Sequence, residues 1–404
     1  MFCYVKLKRM DSPCPNCHSV DISIKDYQNK RIIHSVLNTS KCILIYKARR
    51  FKCCCCNKTF YEFNPFSQNN EKISTLTRIL ILDALRTHTS TFTDVAKRYN
   101  VSLTTVINIF DAYVDPARKP LPFVLSIDEF HTAKLTRHSK YACLLINFFT
   151  KEIIEVYPYR HKNKLYSYFN LIPLYERKKV KYVTIDMWKS YKDVAKMCFP
   201  NCIIAVDSFH VIRHLNNAID SIRLSVMRKY RNNYSKLKHA DMYYYMLKRF
   251  HFFFKMDFEK IKFKFMLGKL QTKWTKYEIL KYLLYIDENL KEAYYLKEKY
   301  REFNLSVNYE NCDEEFNKLI LDFSNSIYQE YRDFSRLLIH WKKEIKNSFI
   351  RVNGKRLSNG PIEGVTSRVK TIIKCANGYT NFLRFRNRVH FSINKNEPIL
   401  GKPK

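Results

Sequence analysis

Short apolar runs alternate with helical patterns through the middle of the chain. The apolar runs have the length of buried strands, and the helical patterns repeat apolar residues every three or four positions. Strands are predicted over residues 123–128, 141–149, 152–157, 181–186 and 202–207, with helices over 163–176 and between the last two strands. The predicted order in this part of the chain is therefore β-β-β-α-β-α-β.

Three of these predicted strands end on an aspartate: Asp128, Asp186 and Asp207. A strand–helix–strand unit makes its two strands parallel, so the carboxylates of Asp186 and Asp207 face the same edge of the sheet. Either aspartate can instead be a cap of the following helix, and this alternative stays open. The order matches the α/β ribonuclease-H-like fold, whose first strand lies beside the fourth. Because neighbouring strands are about 4.8 Å apart, Asp128 is expected next to Asp186.

A third candidate acid, Glu363, lies in the first turn of a helix predicted to begin at Ser358-Asn359-Gly360-Pro361. Serine or asparagine at the cap and proline in the first turn are typical of a helix start. The helix dipole alone also favours a glutamate at this position, and that alternative stays open as well. A functional role for Glu363 therefore depends on the two aspartates that it would join.

Three such carboxylates would hold two Mg²⁺ ions, or Mn²⁺, about 4 Å apart, as phosphodiester chemistry requires. The predicted sheet offers two candidates for the second ligand. Asp186 belongs to the strand beside Asp128, whereas Asp207 lies one strand further out, roughly 10 Å from Asp128. We therefore expect Asp128, Asp186 and Glu363 to bind metal, with Asp207 and His210 in a supporting role.

Helical spacing begins at residue 73, and residues 91–106 follow the helix-turn-helix pattern. An alanine on the first helix allows close crossing, an asparagine makes the turn, and Ser102 caps the second helix. This arrangement directs Ser102, Thr104, Thr105 and Asn108 towards a DNA groove. Any short helical hairpin would show a similar pattern, so the prediction depends on its neighbours in the chain.

Two Cys-x-x-Cys knuckles lie in the N-terminal region: Cys14 with Cys17, and Cys53 with Cys56. Each tight turn presents two thiolates, and four thiolates at about 2.3 Å bind a tetrahedral structural Zn²⁺. Residues 41–52 are rich in β-forming residues and predict a hairpin, which makes the unit a zinc ribbon. Cys54 and Cys55 leave the ligand register ambiguous, and His18 is an alternative ligand.

The chain has 72 Lys and Arg residues against 37 Asp and Glu residues, and its net charge of +35 predicts a nucleic-acid partner. A compositional bias would explain the lysines but not the shortage of acids. No glycine precedes Gly268, which excludes a glycine-rich phosphate loop or dinucleotide fingerprint from the first two thirds. Without a secretory signal, the 13 cysteines predict thiols or bound metal, and no apolar run is long enough to span a membrane.

Residues 215–350 are rich in Tyr, Phe, Lys and Leu and contain no proline, so we expect an all-helical insertion with a basic surface. The basic run after Glu363, including Arg368, Lys370 and Arg386, is either a solvated helix face or a DNA contact. The predicted domains are a zinc ribbon (1–66), a helix-turn-helix domain (67–119), the first part of the catalytic domain (120–214), the insertion (215–350) and the final catalytic region with the basic C-terminus (351–404).

Several motifs resemble the ISL-three family of bacterial insertion-sequence transposases. They are SIDEF at 126–130, VTIDM at 183–187, FPN at 199–201 with DSFHV at 207–211, and SNGPIEG at 358–364. The resemblance also covers the cysteine knuckles, the helix-turn-helix segment and residues 378–388, and the glutamate motif is its most specific part. Cys54 and Cys55 depart from the family pattern, as does VTSR at 365–368, where the family usually has asparagine-rich sequence.

The resemblance implies a DDE transposase whose Asp128, Asp186 and Glu363 are metal ligands. Such an enzyme binds double-stranded DNA at the terminal inverted repeats of its element and at a target, and cleaves and transfers strands with Mg²⁺. It also implies a homodimer in the active complex and a bacterial, cytoplasmic, nucleoid-associated protein. Two alternatives stay open: a metal-dependent nuclease or resolvase on the same fold, and a DNA-binding repressor that has lost catalysis.

Overall fold

The computed structural model describes residues 1–10, 12–35, 40–68, 71–132, 139–231, 239–256, 264–267 and 272–399. Within these ranges the protein has a small N-terminal sheet, a three-helix unit, a central five-stranded sheet and a largely helical insertion. No helix in the described part of the chain combines the length and apolarity needed to cross a bilayer.

The N-terminal sheet consists of β1 (Phe2–Val5), β2 (Ile22–Ile33), β3 (Ile43–Cys53) and β4 (Thr59–Tyr61). Strands β2 and β3 form an antiparallel hairpin, β1 pairs with β3 in parallel, and β4 pairs with β3. One face of this sheet buries Ile32, Leu44 and Tyr46. The hairpin predicted between the two cysteine knuckles is present and is longer than residues 41–52 indicated.

The three-helix unit contains α1 (Thr75–Ala84), α2 (Phe92–Arg98) and α3 (Leu103–Tyr113). A capping box between Thr91 and Asp94 starts α2, and the Ser102 side chain caps α3 by accepting from the Thr105 backbone N–H. Asn100 has a φ of 52° in the turn between the two helices. Asparagine tolerates this left-handed conformation better than most residues, so the predicted asparagine turn is confirmed.

The central sheet has the strand order β7-β6-β5-β8-β9. Its strands are β5 (Val124–His131), β6 (Tyr141–Asn147), β7 (Ile153–Tyr157), β8 (Tyr182–Ile185) and β9 (Ile203–Val206). The first strand lies beside the fourth in parallel, as predicted. The helix predicted over 163–176 is two helices, α4 (Lys162–Asn170) and α5 (Leu174–Arg177), because Pro173 cannot continue a helix and occupies the N-cap of α5.

Helices cover both faces of this sheet. On one face, Leu125 and Ile127 of β5 share a core with α4, α6 (Lys189–Cys198) and α7 (Ser208–Lys229). On the other face, Phe130 packs against α14 (Gly360–Cys375) and α15 (Phe382–Ile393). Alternate residues of each strand therefore serve two cores.

The insertion departs from α7, which runs without a break across the predicted boundary at residue 214. It contains α8 (Ala240–Arg249), a 3₁₀ turn (His251–Phe254), β10 (Lys264–Leu267), β11 (Thr272–Thr275), α9 (Lys276–Tyr285), α10 (Glu288–Ser306), α11 (Cys312–Ser324), α12 (Gln329–His340) and α13 (Lys342–Asn347). A short hairpin, β12 (Arg351–Val352) and β13 (Lys355–Arg356), leads to α14.

The prediction of an all-helical insertion was wrong, because β10 and β11 pair as an antiparallel hairpin. Both segments contain aromatic or β-branched residues, which favour strands. The absence of proline was a poor guide here, because proline-free sequence permits strands as well as helices.

Helix α15 joins the three-helix unit to the central sheet through the buried side chain of Arg388. This guanidinium donates hydrogen bonds to three carbonyl oxygens beyond α1: those of Leu85, Thr87 and Ser90. On α3, Asp111 pairs with Arg384 at 2.6 Å. The side chain of Asn394, after α15, accepts from the Ile153 backbone N–H at 2.7 Å and donates to its carbonyl at 3.0 Å.

We predict that Arg388→Met lowers the free energy of unfolding by about 2–5 kcal/mol, because three buried carbonyl groups lose their donor. Urea unfolding measures the change. The control is Arg336→Met, whose guanidinium is 70% exposed and which should change stability by less than about 0.5 kcal/mol. Equal stability of the two variants would contradict a clamping role for Arg388.

Candidate active site and zinc site

Three parallel strands of the central sheet lie side by side, and each carries an aspartate. Asp186 and Asp207 directly follow β8 and β9, whereas Asp128 lies inside β5, which continues to His131 beyond the predicted end at residue 128. The pairing of β5 with β8 reaches Ser126 and Thr184, whose hydroxyl oxygens are 2.8 Å apart. Two residues further along, Asp128 and Asp186 share their face of the sheet. The pairing of β8 with β9 brings Asp207 into the same row, next to Asp186. The structure therefore aligns the three aspartates in strand order, as the sequence predicted.

Helix α14 crosses this face and brings Glu363 to the same edge. Its apolar side packs through Val365 in the core that contains Phe130. The Thr366 hydroxyl donates to Oδ2 of Asp128 at 3.4 Å. Because residues three apart lie on the same side of a helix, Glu363 faces the sheet edge together with Thr366.

Asp207 holds the beginning of α14. Its side chain is buried, and Oδ1 accepts a hydrogen bond from the backbone N–H of Asn359 at 3.0 Å. Its Oδ2 lies 3.4 Å from Nδ1 of His210, and the Asp207 carboxylate raises the pKa of that imidazole. Since Asn359 is the N-cap residue of α14, the bond from Asp207 fixes the turn that carries Glu363.

Asp207, His210 and Glu363 form a compact group of candidate metal-binding atoms at this edge. One ligand atom from each lies within 4.8 Å of the others. Among the described residues, Asp128 and Asp186 are not part of this group. Glu363 thus lies nearer to the two residues expected to support it than strand order alone indicated.

The carboxylates at this edge repel one another, which disfavours the charged form of each. Burial, followed by the negative charge of Glu129, raises the pKa of Asp186 to about 7. Burial is also the main cause of the raised pKa of Asp128. For Glu363, burial and then the charge of Asp207 raise the pKa. A bound cation would relieve this strain, because it favours the charged form of each carboxylate.

Glu129 and Arg160 form an ion pair at 2.6 Å beside the aspartates. The Arg160 guanidinium also stacks over the rings of Tyr141 and Trp188, at 4.0 and 4.8 Å from their centroids. The backbone N–H of Trp188 donates to Oδ1 of Asp186 at 3.2 Å. The sequence drew attention to Glu129 only as part of a motif, and Arg160 was missed because it lies outside any periodic segment.

The donor set fits a hard divalent cation. Carboxylate oxygens are the protein ligands that Mg²⁺ prefers. Among the described residues, Oε2 of Glu129 and Oδ2 of Asp207 are buried acceptors that receive no hydrogen bond. The chain has a net charge of +35, yet this edge of the sheet is locally negative, and a bound cation would balance that negative charge. His210 adds an imidazole nitrogen, which Mn²⁺ tolerates better than Mg²⁺ does.

The four predicted zinc ligands meet at the end of the N-terminal sheet. The sulfur of Cys14 is 3.6 Å from that of Cys56, and the sulfur of Cys17 is 3.5 Å from that of Cys53. All four sulfurs lie within 4.8 Å of one another. A tetrahedral Zn²⁺ with bonds of 2.3 Å places its sulfurs about 3.8 Å apart. The cluster therefore fits a structural zinc site.

Both cysteine knuckles close with the same turn, which is compatible with Cys14, Cys17, Cys53 and Cys56 as the ligand set. His18 and Asn57 follow the second cysteine of each knuckle and have φ angles of 56° and 58°. His18 is thus a turn residue and lies outside the thiol cluster. Cys54 and Cys55 are exposed, on the outside of the second knuckle.

The predicted DNA-reading residues divide into two pairs on α3. Ser102 caps the helix by accepting a hydrogen bond from the Thr105 backbone N–H, and the hydroxyl oxygens of the two residues are 2.8 Å apart. Thr104 and Asn108 are exposed on its surface. Ser102 is exposed as well, and Thr105 is half-buried, so three of the four predicted residues are exposed to solvent.

The predicted basic DNA contacts also divide. Lys370 is exposed on α14, and Arg368 is half-buried there. Arg386 binds both carboxylate oxygens of Glu155, at 2.6 and 2.8 Å, and the carbonyl of Pro116. This internal use of the guanidinium is at odds with the prediction that Arg386 contacts DNA, because its donors are already occupied.

Comparison with known families gives two matches. A family model described as a transposase, for the DDE domain of family ISL3, matches residues 125–389. A model for the helix-turn-helix domain of transposase family ISL3 matches residues 65–114, which include α1, α2 and α3. The first match contains Asp128, Asp186, Asp207 and Glu363, and it implies a ribonuclease-H-like core. The curated proteins contain no match to the chain.

We predict that Cys53→Ser removes zinc from the purified protein, whereas Cys54→Ser in the same knuckle retains one equivalent. The serine hydroxyl is a poor substitute for a thiolate, and only Cys53 belongs to the cluster. Metal analysis by mass spectrometry measures both variants. If Cys54→Ser lost zinc while Cys53→Ser kept it, Cys54 rather than Cys53 would be the ligand.

We predict that Mg²⁺ raises the melting temperature more at about pH 8 than at about pH 6. The pKa of Asp186 is about 7, above its ordinary value, so the folded protein without metal loses stability as pH rises from about 4 to 7. Above that range the charged carboxylate is available to a cation. Thermal melts with and without Mg²⁺ measure the increment. In Asp186→Asn the increment should be small and nearly independent of pH.

Proposed function

The chain belongs to transposase family ISL3, and we propose that it binds the terminal inverted repeats of an insertion sequence and cleaves and transfers DNA strands there. The family membership supports a DNA-binding enzyme of the nucleotidyl-transferase type. The observation that carries the proposed chemistry is the meeting of Asp128, Asp186 and Asp207 with Glu363 at one edge of the sheet.

We assign Asp128, Asp186 and Glu363 as the ligands of two divalent cations, Mg²⁺ or Mn²⁺. When bound, the cations supply positive charge that stabilises the attacking and leaving oxygens of a phosphodiester. The raised pKa of all three carboxylates supports this assignment, because a site built for cations concentrates negative charge.

Asp207 and His210 act as positioning residues in this proposal. Both oxygens of Asp207 have close partners, the Asn359 N–H and the His210 ring. Asp207 therefore orients the first turn of α14 and keeps Glu363 within reach of the strand ends. The grouping of Asp207, His210 and Glu363 leaves one alternative, in which Asp207 replaces Asp186 as a ligand.

The helix-turn-helix unit supplies recognition of the terminal repeats. Thr104 and Asn108 are exposed on α3 and are suited to contact base edges in a major groove. The buried Arg388 and the pair between Arg384 and Asp111 tie this unit to the catalytic core. DNA bound at α3 would thus lie at a defined distance from the acids.

Joining two element ends to one target favours a homodimer.

A nuclease or resolvase on the same fold is the alternative enzyme. It would cut DNA with the same carboxylates but would not join a 3′ end to a new strand. A repressor that has lost catalysis would bind the repeats without cutting. An assay that supplies Mg²⁺ and a pre-cut element end distinguishes the three, since only a transposase forms joined products.

We predict that Asp128→Asn, Asp186→Asn and Glu363→Gln each lower strand cleavage and strand transfer at least about 10³-fold while repeat binding stays unchanged. Each change removes one charge that holds the cations. A labelled element end in Mg²⁺ provides the measurement. Asp193→Asn, on α6 outside the acid row, is the control and should keep full activity.

The Asp207→Asn variant distinguishes the two assignments. If Asp207 is a positioning residue, Asp207→Asn should lower activity less than Asp186→Asn does. Replacing Mg²⁺ by Mn²⁺ should partly restore the activity of Asp186→Asn but not that of Asp207→Asn. Full activity of Asp186→Asn together with an inactive Asp207→Asn would exchange their roles.

We predict that Asn108→Ala weakens binding to the terminal repeat by about 1–3 kcal/mol and leaves binding to unrelated duplex unchanged. The loss reflects base contacts made by one exposed side chain. Competition binding at fixed salt measures the ratio. The control, Asn163→Ala, removes an amide from α4 on the catalytic domain. An equal loss for both DNAs would indicate a backbone contact.

A further inference from the structure

The N-terminal sheet has one packed face, and its opposite face is exposed along the part of β1, β2 and β3 that lies away from the cysteine cluster. Ile32, Leu44 and Tyr46 fill the packed face. The exposed part of the opposite face, here called the outer face, includes Phe2, Tyr4, Tyr27, Arg31, Ile45 and Lys47. Side chains alternate between the faces of a strand, so these residues project together away from the core.

Aromatic rings are exposed on the outer face. Phe2 is 57% exposed, Tyr4 is 81% exposed and Tyr27 is 40% exposed. The outward positions of a one-sided sheet are normally polar, because water covers them. Phe2 and Tyr4 lie two residues apart on β1, so their rings are about 7 Å from each other along the strand. The outer face thus offers a row of flat apolar surfaces to solvent.

Basic side chains lie among these rings. Lys6 and Lys47 stand over the ring of Tyr27, at 5.6 and 5.1 Å from its centroid, and Arg31 lies 5.9 Å from that of Phe2. Between the strands, Tyr4 and Lys47 line a shallow groove of about 340 Å³. The outward positions of β1, β2 and β3 that form this face contain no acidic residue. Its charge is therefore complementary to a phosphate backbone.

We propose that the outer face binds single-stranded DNA, with bases stacked on Tyr4 and Tyr27 and phosphates held by Arg31 and Lys47. An aromatic side chain can stack on a base only where the DNA strands are unpaired. A duplex would contact the basic side chains through its phosphates but would not stack on the aromatic rings. This binding is independent of sequence, because every base has a stacking face. It rests on the proposed function only in taking DNA as the polymer.

The location of the face supports a role separate from that of α3. The cysteine cluster lies at the end of the same sheet and includes Cys53 of β3. Zinc bound there would hold the sheet that carries the outer face rigid without a large core. The helix-turn-helix unit has its own exposed residues, Thr104 and Asn108. One unit would read paired repeat DNA while the other holds a strand opened near the cleavage point.

The test measures binding of the full-length protein to a fluorescent single-stranded oligonucleotide and to the duplex of the same sequence. Tyr4→Ala with Tyr27→Ala should weaken single-strand binding by about tenfold or more, and duplex binding by less than about twofold. The matched control, Tyr175→Ala with Tyr285→Ala, removes two tyrosines that are 67% and 76% exposed elsewhere and should change neither.

A ring-preserving variant separates stacking from folding defects. Tyr4→Phe with Tyr27→Phe should bind the single strand like the unaltered protein, and every variant should retain its zinc. Unchanged single-strand affinity in the alanine variant would overturn the proposal. Equal losses for single strand and duplex would also overturn it, as would a change in sedimentation that shows the face to join two copies of the chain.

A cleavage assay on the same preparations keeps this inference distinct from the proposed function. Stacking-dependent single-strand binding without Mg²⁺-dependent cleavage would support the outer face and reject the transposase chemistry. Cleavage and strand transfer with no loss of single-strand binding in the alanine variant would reject the outer face alone.

Discussion

A hydrogen bond to the start of α14 connects the two halves of the acidic edge. It runs from the Asn359 backbone N–H to the buried carboxylate of Asp207, across 152 positions of the chain and the whole insertion. Without it, apolar contacts and the longer hydrogen bond from Thr366 to Asp128 would be left to fix the distance of α14 from the strand ends. Apolar packing sets which face of α14 is buried, but it tolerates sliding along the helix axis. The directional bond removes that freedom and sets the position of Glu363.

The same edge concentrates negative charge in a strongly basic protein. Burial and mutual repulsion raise the pKa of Asp128, Asp186 and Glu363, and partners within the protein neutralise only part of that charge. Arg160 pairs with Glu129, and His210 lies beside Asp207. Folding therefore assembles a site whose electrostatic cost a bound cation would relieve. The Coulomb interactions that destabilise the metal-free edge are the ones that would favour metal binding.

Internal ion pairs and hydrogen bonds decide which basic residues remain for DNA. Arg386 and Arg388 look like members of a basic surface in sequence, yet both are bound within the protein, to Glu155 and to three backbone carbonyls. Lys370, on the neighbouring helix, is exposed. A count of charges predicts the kind of partner correctly but not the contact residues, because a long side chain reaches either solvent or the interior.

The sequence by itself determined the strand order, the alignment of the three aspartates, the start of the helix that carries Glu363, the cysteine knuckles and the helix-turn-helix pattern, since periodicity, capping and turn preferences act over a few residues. It placed the end of β5 at Asp128, whereas the strand continues to His131. Tertiary structure alone decided the rest. It showed that Asp207 holds α14, that Arg160 neutralises Glu129, that Cys54 and Cys55 face outward, and that the insertion contains a hairpin. These features depend on groups far apart in the chain, whose distance is set by packing and directional hydrogen bonds and is invisible to local patterns.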